Sequence, residues 1–68
     1  MITVYWNNEE AITLEENSHL QHALERKAFT HTNFAIMLNQ NFIPRAKYPS
    51  TFLKEGDAIE IITPMQGG

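Results

Sequence analysis

The first fourteen residues alternate between apolar and polar positions, with the period of two that is typical of β-strands. Ile2, Val4 and Trp6 share one face of the first segment. The asparagines at 7–8 follow, and asparagine tolerates the positive φ that tight turns require. A second alternating segment spans residues 11–14. The pattern predicts an N-terminal β-hairpin.

The period then lengthens to that of an amphipathic helix over residues 18–28. The apolar stripe consists of Leu20, Ala23, Leu24 and Ala28. Ser18 precedes the stripe, and Gln21 lies three positions after Ser18, which is the spacing of a capping box. We therefore predict one short helix that begins with Ser18 as its N-cap and is stabilised by packing onto a sheet.

The second half of the chain contains three further strand signals. Residues 34–38 form an apolar run, and residues 42–43 form a short strand that Pro44 ends because proline cannot donate to a strand ladder. Gly56 lies in a turn where a positive φ is expected. Residues 58–63 alternate again, with Ile59 facing the core. These signals predict a β-strand, a short strand and a final strand.

The order of elements is typical of a small α+β fold. A helix between hairpins packs across one face of a mixed sheet, and the first and last strands are the natural central neighbours. We predict a β-grasp (ubiquitin-like) domain over residues 1–63, with a mixed sheet of four to five strands packed on one helix. Residues 64–68 are predicted to be a flexible C-terminal tail.

Composition narrows the possible functions. The chain has 68 residues, a net charge of −3 and no cysteine. It therefore forms one small domain without disulfides, thiolate zinc sites or a cysteine nucleophile. An acidic chain disfavours nucleic-acid binding. The longest apolar run, 34–38, is too short to cross a bilayer, and the N-terminus lacks the basic region of a signal peptide. We expect a cytoplasmic protein that binds neither nucleic acid nor membrane.

The sequence gives little support for a metal site or for catalytic acids. His19 and His22 are three apart on the predicted helix, and a zinc site would need His31 or a carboxylate such as Glu15 as well. Isolated surface histidines are common, so we predict no metal site. The acidic residues have no pocket to shift their pKa values, so we predict no catalytic residue.

Three other side chains have alternative interpretations. Arg45, after Pro44, has two equally good roles: it can orient a carboxylate or phosphate of a partner, or it can pair with an acidic neighbour. Tyr48 and Phe52 are interpreted as core packing rather than as a stack for a ligand.

Apolar residues at outward strand positions predict a docking face on the side of the sheet away from the helix. It would use Ile62 and whichever of Tyr5, Met37 and Phe42 is exposed.

The tail carries two of the three glycines, Gly67 and Gly68. Fully extended, residues 64–68 reach about 16 Å. Residues without side chains can enter a narrow channel and carry a terminal carboxylate into the active site of another protein. Composition alone leaves open the alternative that small residues are merely tolerated at a frayed terminus.

Three segments together resemble the signature of the ThiS family, the sulfur-carrier proteins of thiamine biosynthesis. They are MLNQNFIPR at 37–45, LKEGDAIEI at 53–61 and PMQGG at 64–68, in the order and spacing of that family. The resemblance covers essentially the whole chain. Tyr48 departs from it, because many members carry tryptophan there, and so do the two helix histidines.

The resemblance implies a carrier rather than an enzyme. In that family an adenylating enzyme uses ATP and magnesium to activate the terminal carboxylate, which here belongs to Gly68. Sulfur from a persulfide donor then forms a thiocarboxylate, which thiazole synthase consumes. The chain itself would bind no cofactor. Besides Gly67 and Gly68, the residues expected to contact partners are Ile62, Pro64, Met65, Gln66 and Arg45.

Three alternatives remain. The small subunit of molybdopterin synthase has the same fold, the same diglycine end and the same activation chemistry, but its relatives usually run longer. A ubiquitin-like modifier would use the diglycine to form isopeptide bonds with lysines. An interaction domain with an inert tail is the third alternative.

Overall fold

A computed structural model describes residues 1–29 and 33–63 of the chain. It contains five strands, one α-helix and one 3₁₀ helix. The elements are β1 (Ile2–Trp6), β2 (Glu10–Leu14), α1 (Leu20–Arg26), β3 (Ala35–Leu38), β4 (Asn41–Ile43), the 3₁₀ helix (Arg45–Ser50) and β5 (Ala58–Ile62). The predicted α+β class and the predicted elements are confirmed.

The five strands form one mixed sheet in the order β2-β1-β5-β3-β4. β1 and β5 run parallel at its centre, with Tyr5 opposite Ala58, and every other neighbouring pair is antiparallel. The first and last strands are therefore central neighbours, as predicted. This arrangement brings both ends of the described chain into the middle of the sheet.

Two of the turns are formed by residues in which the backbone has a positive φ. Asn39 and Gln40, with φ of 52° and 71°, form the two-residue turn between β3 and β4. Both central residues of a type I′ turn need this conformation, and its twist matches that of the strands. Gly56 has a φ of 86°, as its place in the predicted turn requires.

The core lies between the sheet and α1. Four side chains are completely or almost completely buried there: Val4, Leu20, Ile36 and Ile59. Burying an aliphatic side chain of this size contributes roughly 1.5–3 kcal/mol. Tyr48, from the 3₁₀ helix, is only 3% exposed and belongs to the same cluster. The core-packing interpretation of Tyr48 is confirmed, whereas Phe52 is 58% exposed and its interpretation as core was wrong.

The helix begins one residue later than predicted, with His19 as its N-cap. Ser18 is buried and its hydroxyl donates to the Glu15 carbonyl at 2.7 Å. The Ser18 carbonyl also accepts the Leu53 N–H at 2.8 Å, within a bridge that pairs His19 with Phe52. The prediction of Ser18 as N-cap was wrong, because its hydroxyl bonds back to Glu15 rather than forward to the first turn of the helix, and His19 takes the N-cap position.

The helix ends in a Schellman motif. The Phe29 N–H donates to the Leu24 carbonyl and the Ala28 N–H to the Glu25 carbonyl, both at 3.0 Å. Between them Ala28 has a φ of 52°, a left-handed conformation that usually belongs to glycine. The predicted end at residue 28 was therefore too late, because Ala28 terminates the helix rather than extending it.

Candidate functional site

The sheet has one face covered by α1 and one open face. Strand alternation and register put four apolar residues on the open face: Tyr5, Met37, Phe42 and Ile62. We call these four residues the open-face patch. Met37 lies directly opposite Phe42 on the neighbouring strand. Phe42 is 63% exposed, and Tyr5 and Ile62 are each 44% exposed. The patch therefore presents large apolar side chains to solvent, as binding surfaces do.

One charged residue, Glu60, lies within the patch. It is on β5 directly opposite Met37 of β3, and Ile62 follows it on the same face of its own strand. Glu60 is exposed. Any protein surface that covered the open-face patch would also cover this carboxylate.

The end of β5 is held from both sides. On one edge Ile61 and Ile62 pair with β3. On the other edge β1 has already ended, and Asn7 continues the ladder in its place. The backbone N–H of Asn7 donates to the Ile59 carbonyl at 2.7 Å, and Asn7 Oδ1 accepts the Ile61 N–H at 2.8 Å. The last residues of β5 are therefore held on both edges.

The role of Asn7 was missed by sequence reasoning, which gave it only a turn. Asn7 and Asn8, with φ of 55° and 57°, lie in the turn that leads from β1 to β2. The available signal was the residue type, since a short amide at a positive φ commonly bonds to nearby backbone.

A second network holds the start of β5. Asn39 Nδ2 donates to Asp57 Oδ1, and Asn39 Oδ1 accepts the Ala58 N–H, each at 2.9 Å. Asp57 Oδ2 accepts the Lys54 N–H at 2.7 Å. Asn39 of the 37–45 segment and Asp57 of the Gly-Asp step in the 53–61 segment thus meet in one hydrogen-bond network. Their motif positions stabilise the fold.

Arg45 lies away from the open-face patch. Its guanidinium carbon is 5.0 Å from the centroid of the Phe34 ring, and it borders a cleft of about 300 Å³ between α1 and the 3₁₀ helix. Arg45 also hydrogen-bonds Tyr48. Burial raises the pKa of Tyr48, and the charge and hydrogen bond of Arg45 partly oppose that rise. Arg45 and Ile62, both expected to contact partners, are therefore on different surfaces.

The two helix histidines are stacked on each other. Their ring centroids are 3.7 Å apart and the rings are 15° from parallel. Because an imidazole nitrogen binds a metal ion in the plane of its ring, stacked rings cannot direct two lone pairs at one ion. His22 Nδ1 instead accepts the backbone N–H of His19 at 3.2 Å, at the start of the helix. His31, the other candidate ligand, lies outside the described residues.

No set of three or more histidine and carboxylate side chains within residues 1–29 and 33–63 is placed to hold a metal ion. In the same part of the chain, no helix is long and apolar enough to cross a membrane. Of the residues expected to contact partners, Pro64, Met65, Gln66, Gly67 and Gly68 lie outside the described residues.

Comparison with known proteins supports the same fold. The thiamine biosynthesis protein ThiS from Geobacter metallireducens superposes with a TM-score of 0.82. The match covers 98% of this chain and 100% of that protein, at 23% sequence identity. No curated protein sequence matches the chain.

The ThiS family model matches residues 3–68, which is nearly the whole chain and includes both terminal glycines. Together with the β-grasp topology, this match makes the sequence resemblance a finding. The chain belongs to the ThiS family, the small sulfur-carrier proteins of thiamine biosynthesis.

Proposed function

We propose that the chain is a protein cosubstrate that carries sulfur on the carboxyl group of Gly68 for synthesis of the thiazole ring of thiamine. The observation that carries this proposal is the ThiS family match, which extends through Gly68. The fold supports it, because the last strand is central in the sheet and held on both edges. A rigid domain would thereby present a narrow tail to other proteins.

The chemistry begins with activation of the Gly68 carboxylate. A carboxylate resists nucleophilic attack because of its charge and resonance. In the proposed first step an adenylating enzyme, with ATP and magnesium, joins the carboxylate to AMP and releases pyrophosphate. The terminal sulfur of a donor persulfide then bonds to the acyl carbon while AMP leaves, which forms an acyl disulfide. A second thiol of a partner protein attacks the donor-side sulfur, so the S–S bond breaks, the two protein thiols become a disulfide and the thiocarboxylate is released. The resulting thiocarboxylate would give its sulfur to thiazole synthase. This chain contributes no catalytic group.

We assign docking of the adenylating enzyme to the open-face patch. The patch lies on the face opposite α1, beside the end of β5 from which residues 64–68 continue. A partner bound to Ile62 would therefore sit next to the start of the tail. Large apolar residues at the centre of an interface usually supply most of its binding energy. Pro64, Met65 and Gln66 would be the tail contacts of the same interface.

Arg45 lies on a different surface from the open-face patch, so we assign it to a different partner. It lies on the helix side of the domain, against Phe34 and Tyr48. We propose that it contacts the second partner, thiazole synthase, and not the adenylating enzyme. An Arg45→Ala change would then slow sulfur transfer while leaving activation unchanged.

The test of activation is pyrophosphate release from ATP by the adenylating enzyme in the presence of this chain. The intact chain should support release, and a chain that lacks Gly68 should not. An Arg45→Ala chain serves as a matched control and should support normal release. Release that persists without Gly68 would contradict the proposal.

A further inference from the structure

Among the outward-facing residues of the five described strands, only Glu60 is charged. The other outward residues are Thr3, Tyr5, Ala11, Thr13, Ala35, Met37, Phe42, Ala58 and Ile62. A charge at this position does not help to bury the core, since the side chain is on the face away from α1. The motif at 53–61 contains Glu60, and the fold gives its side chain no structural role comparable to that of Asp57.

The carboxylate of Glu60 has no partner within the part of the chain that the structure describes. The ion pairs found there join Met1 to Glu16 and Lys27 to Glu10. No hydrogen bond within residues 1–29 and 33–63 involves the Glu60 side chain. In the free protein this arrangement costs little, because the carboxylate is exposed and hydrated.

Docking changes the surroundings of this carboxylate. Met37 faces Glu60 from β3, while Ala58 and Ile62 flank it on the same face of β5. A partner that covers these residues removes water from Glu60 as well. A carboxylate that loses its water without gaining a partner is strongly disfavoured, whereas a hydrogen-bonded cation compensates for the loss. An entirely apolar partner surface would therefore be a poor match.

We infer that the protein that covers the open-face patch presents an arginine or lysine side chain to Glu60, surrounded by apolar residues. This inference rests on the proposed function for the identity of the partner, the adenylating enzyme. The apolar patch supplies most of the affinity, and the ion pair fixes the orientation of the carrier and rejects partners without the cation. The orientation matters because it determines where the tail beyond β5 enters the enzyme.

The experiment measures KM and kcat for the carrier in the pyrophosphate-release assay with wild type, Glu60→Gln and Glu60→Lys chains. Glu60→Gln should raise KM at least about tenfold, and Glu60→Lys should raise it further, with little change in kcat. Added salt should raise the KM of the wild type more than that of Glu60→Gln, because only the wild type retains the ion pair.

Glu25→Gln is the matched control. Glu25 is an exposed glutamate on α1, on the opposite side of the sheet, and its substitution changes the net charge by the same amount. Its KM should stay within about twofold of wild type, since long-range steering depends on total charge only weakly at ordinary ionic strength. A large rise in KM for Glu25→Gln would attribute the effect to net charge and overturn the inference.

Two further outcomes would also overturn it. If Glu60→Gln behaves like Glu25→Gln while a substitution of Ile62 raises KM, the patch binds the enzyme without an ion pair, and the proposed function stands. If the wild-type chain supports no pyrophosphate release with an active enzyme, the proposed function fails, and the inference fails with it.

Discussion

The covered face and the open face of the sheet are built from the same strands but differ in what their apolar residues do. On the covered face Val4, Ile36 and Ile59 are at most 1% exposed and contact the helix layer. On the open face Phe42 and Ile62 are just as apolar, yet 63% and 44% exposed. The covered face thus holds the domain together, while the open face is free to bind. Substitutions on the two faces should separate stability from activation.

The largest effect is expected on the covered face. Ile59→Ala removes a side chain that is 1% exposed and leaves a cavity beneath the centre of the sheet. It should lower the free energy of unfolding by about 2–5 kcal/mol, which is a large part of the stability of so small a domain. Urea denaturation measures this loss. A loss below about 1 kcal/mol would show that the centre of the sheet does not carry the fold.

On the open face the effect should fall on activation. Ile62→Lys should raise the KM for the adenylating enzyme at least about tenfold by placing a charge in the apolar interface. Because Ile62 is 44% exposed, the free energy of unfolding should change by no more than about 1 kcal/mol. Thr13→Lys, on the same face but on edge strand β2, is the matched control and should be activated normally. Equal effects of both substitutions would remove the patch as the docking site.

The anchor at the end of β5 should give an intermediate effect. Asn7→Gly keeps the positive φ but removes the oxygen that accepts the Ile61 N–H. It should cost about 1 kcal/mol and speed hydrogen exchange at the Ile61 amide. Asn7→Asp retains the acceptor and should stay close to wild type in both measurements. Equal exchange rates in the two variants would mean that the side chain does not hold the strand.

Relief of backbone strain at the helix end should give a smaller gain. Ala28 has a φ of 52°, which is strained for alanine and unstrained for glycine. Ala28→Gly should therefore raise the free energy of unfolding by up to about 1 kcal/mol, after part of the gain is offset by the greater freedom of glycine in the unfolded chain. Thermal denaturation tests this, with Ala46→Gly as a control outside the left-handed region. Destabilisation by Ala28→Gly equal to that of the control would contradict it.

The smallest effect should be a difference in alkaline stability. Burial raises the pKa of Tyr48 above its usual value of about 10, so the unfolded chain loses this proton more readily than the folded chain. The stability that the neutral phenol contributes is fully present below about pH 10, where the unfolded chain titrates, and is lost as pH rises through the raised pKa of folded Tyr48. Stability should therefore fall less steeply above about pH 10 in Tyr48→Phe than in the wild type, as measured by urea denaturation across that range. Identical slopes would contradict the assignment.

The alternating and helical periods predicted the fold because most elements follow local chemistry. The alternation around Val4 and Ile59 identifies the face of each strand that meets the core, and the order of elements makes the first and last strands central neighbours. The errors fall at the two ends of the helix. Ser18 has the side chain of a helix cap, but its hydroxyl bonds back to Glu15 and its carbonyl accepts the distant Leu53 N–H beside the His19–Phe52 bridge. Ala28 carries no glycine signal for the end of the helix.

The candidate site was predicted in part. Alternation put Ile62 on the outward face, and the structure confirms that it is exposed there. Which of Tyr5, Met37 and Phe42 is exposed was left open by the sequence, and in the structure Tyr5 and Phe42 are. The support that Asn7 gives to β5 could not be read from the chain, because it depends on how β1 and β5 align across more than fifty residues. The separation of Arg45 from Ile62 likewise depends on the path of the 3₁₀ helix.

The most direct test of sulfur carriage is the intact mass of the protein after incubation with ATP, magnesium, a sulfide source and the adenylating enzyme. We expect a gain equal to the replacement of one oxygen atom by sulfur, absent when Gly68 is deleted or ATP is omitted. An unchanged mass with an enzyme that activates another member of the family would contradict the proposed function of this chain.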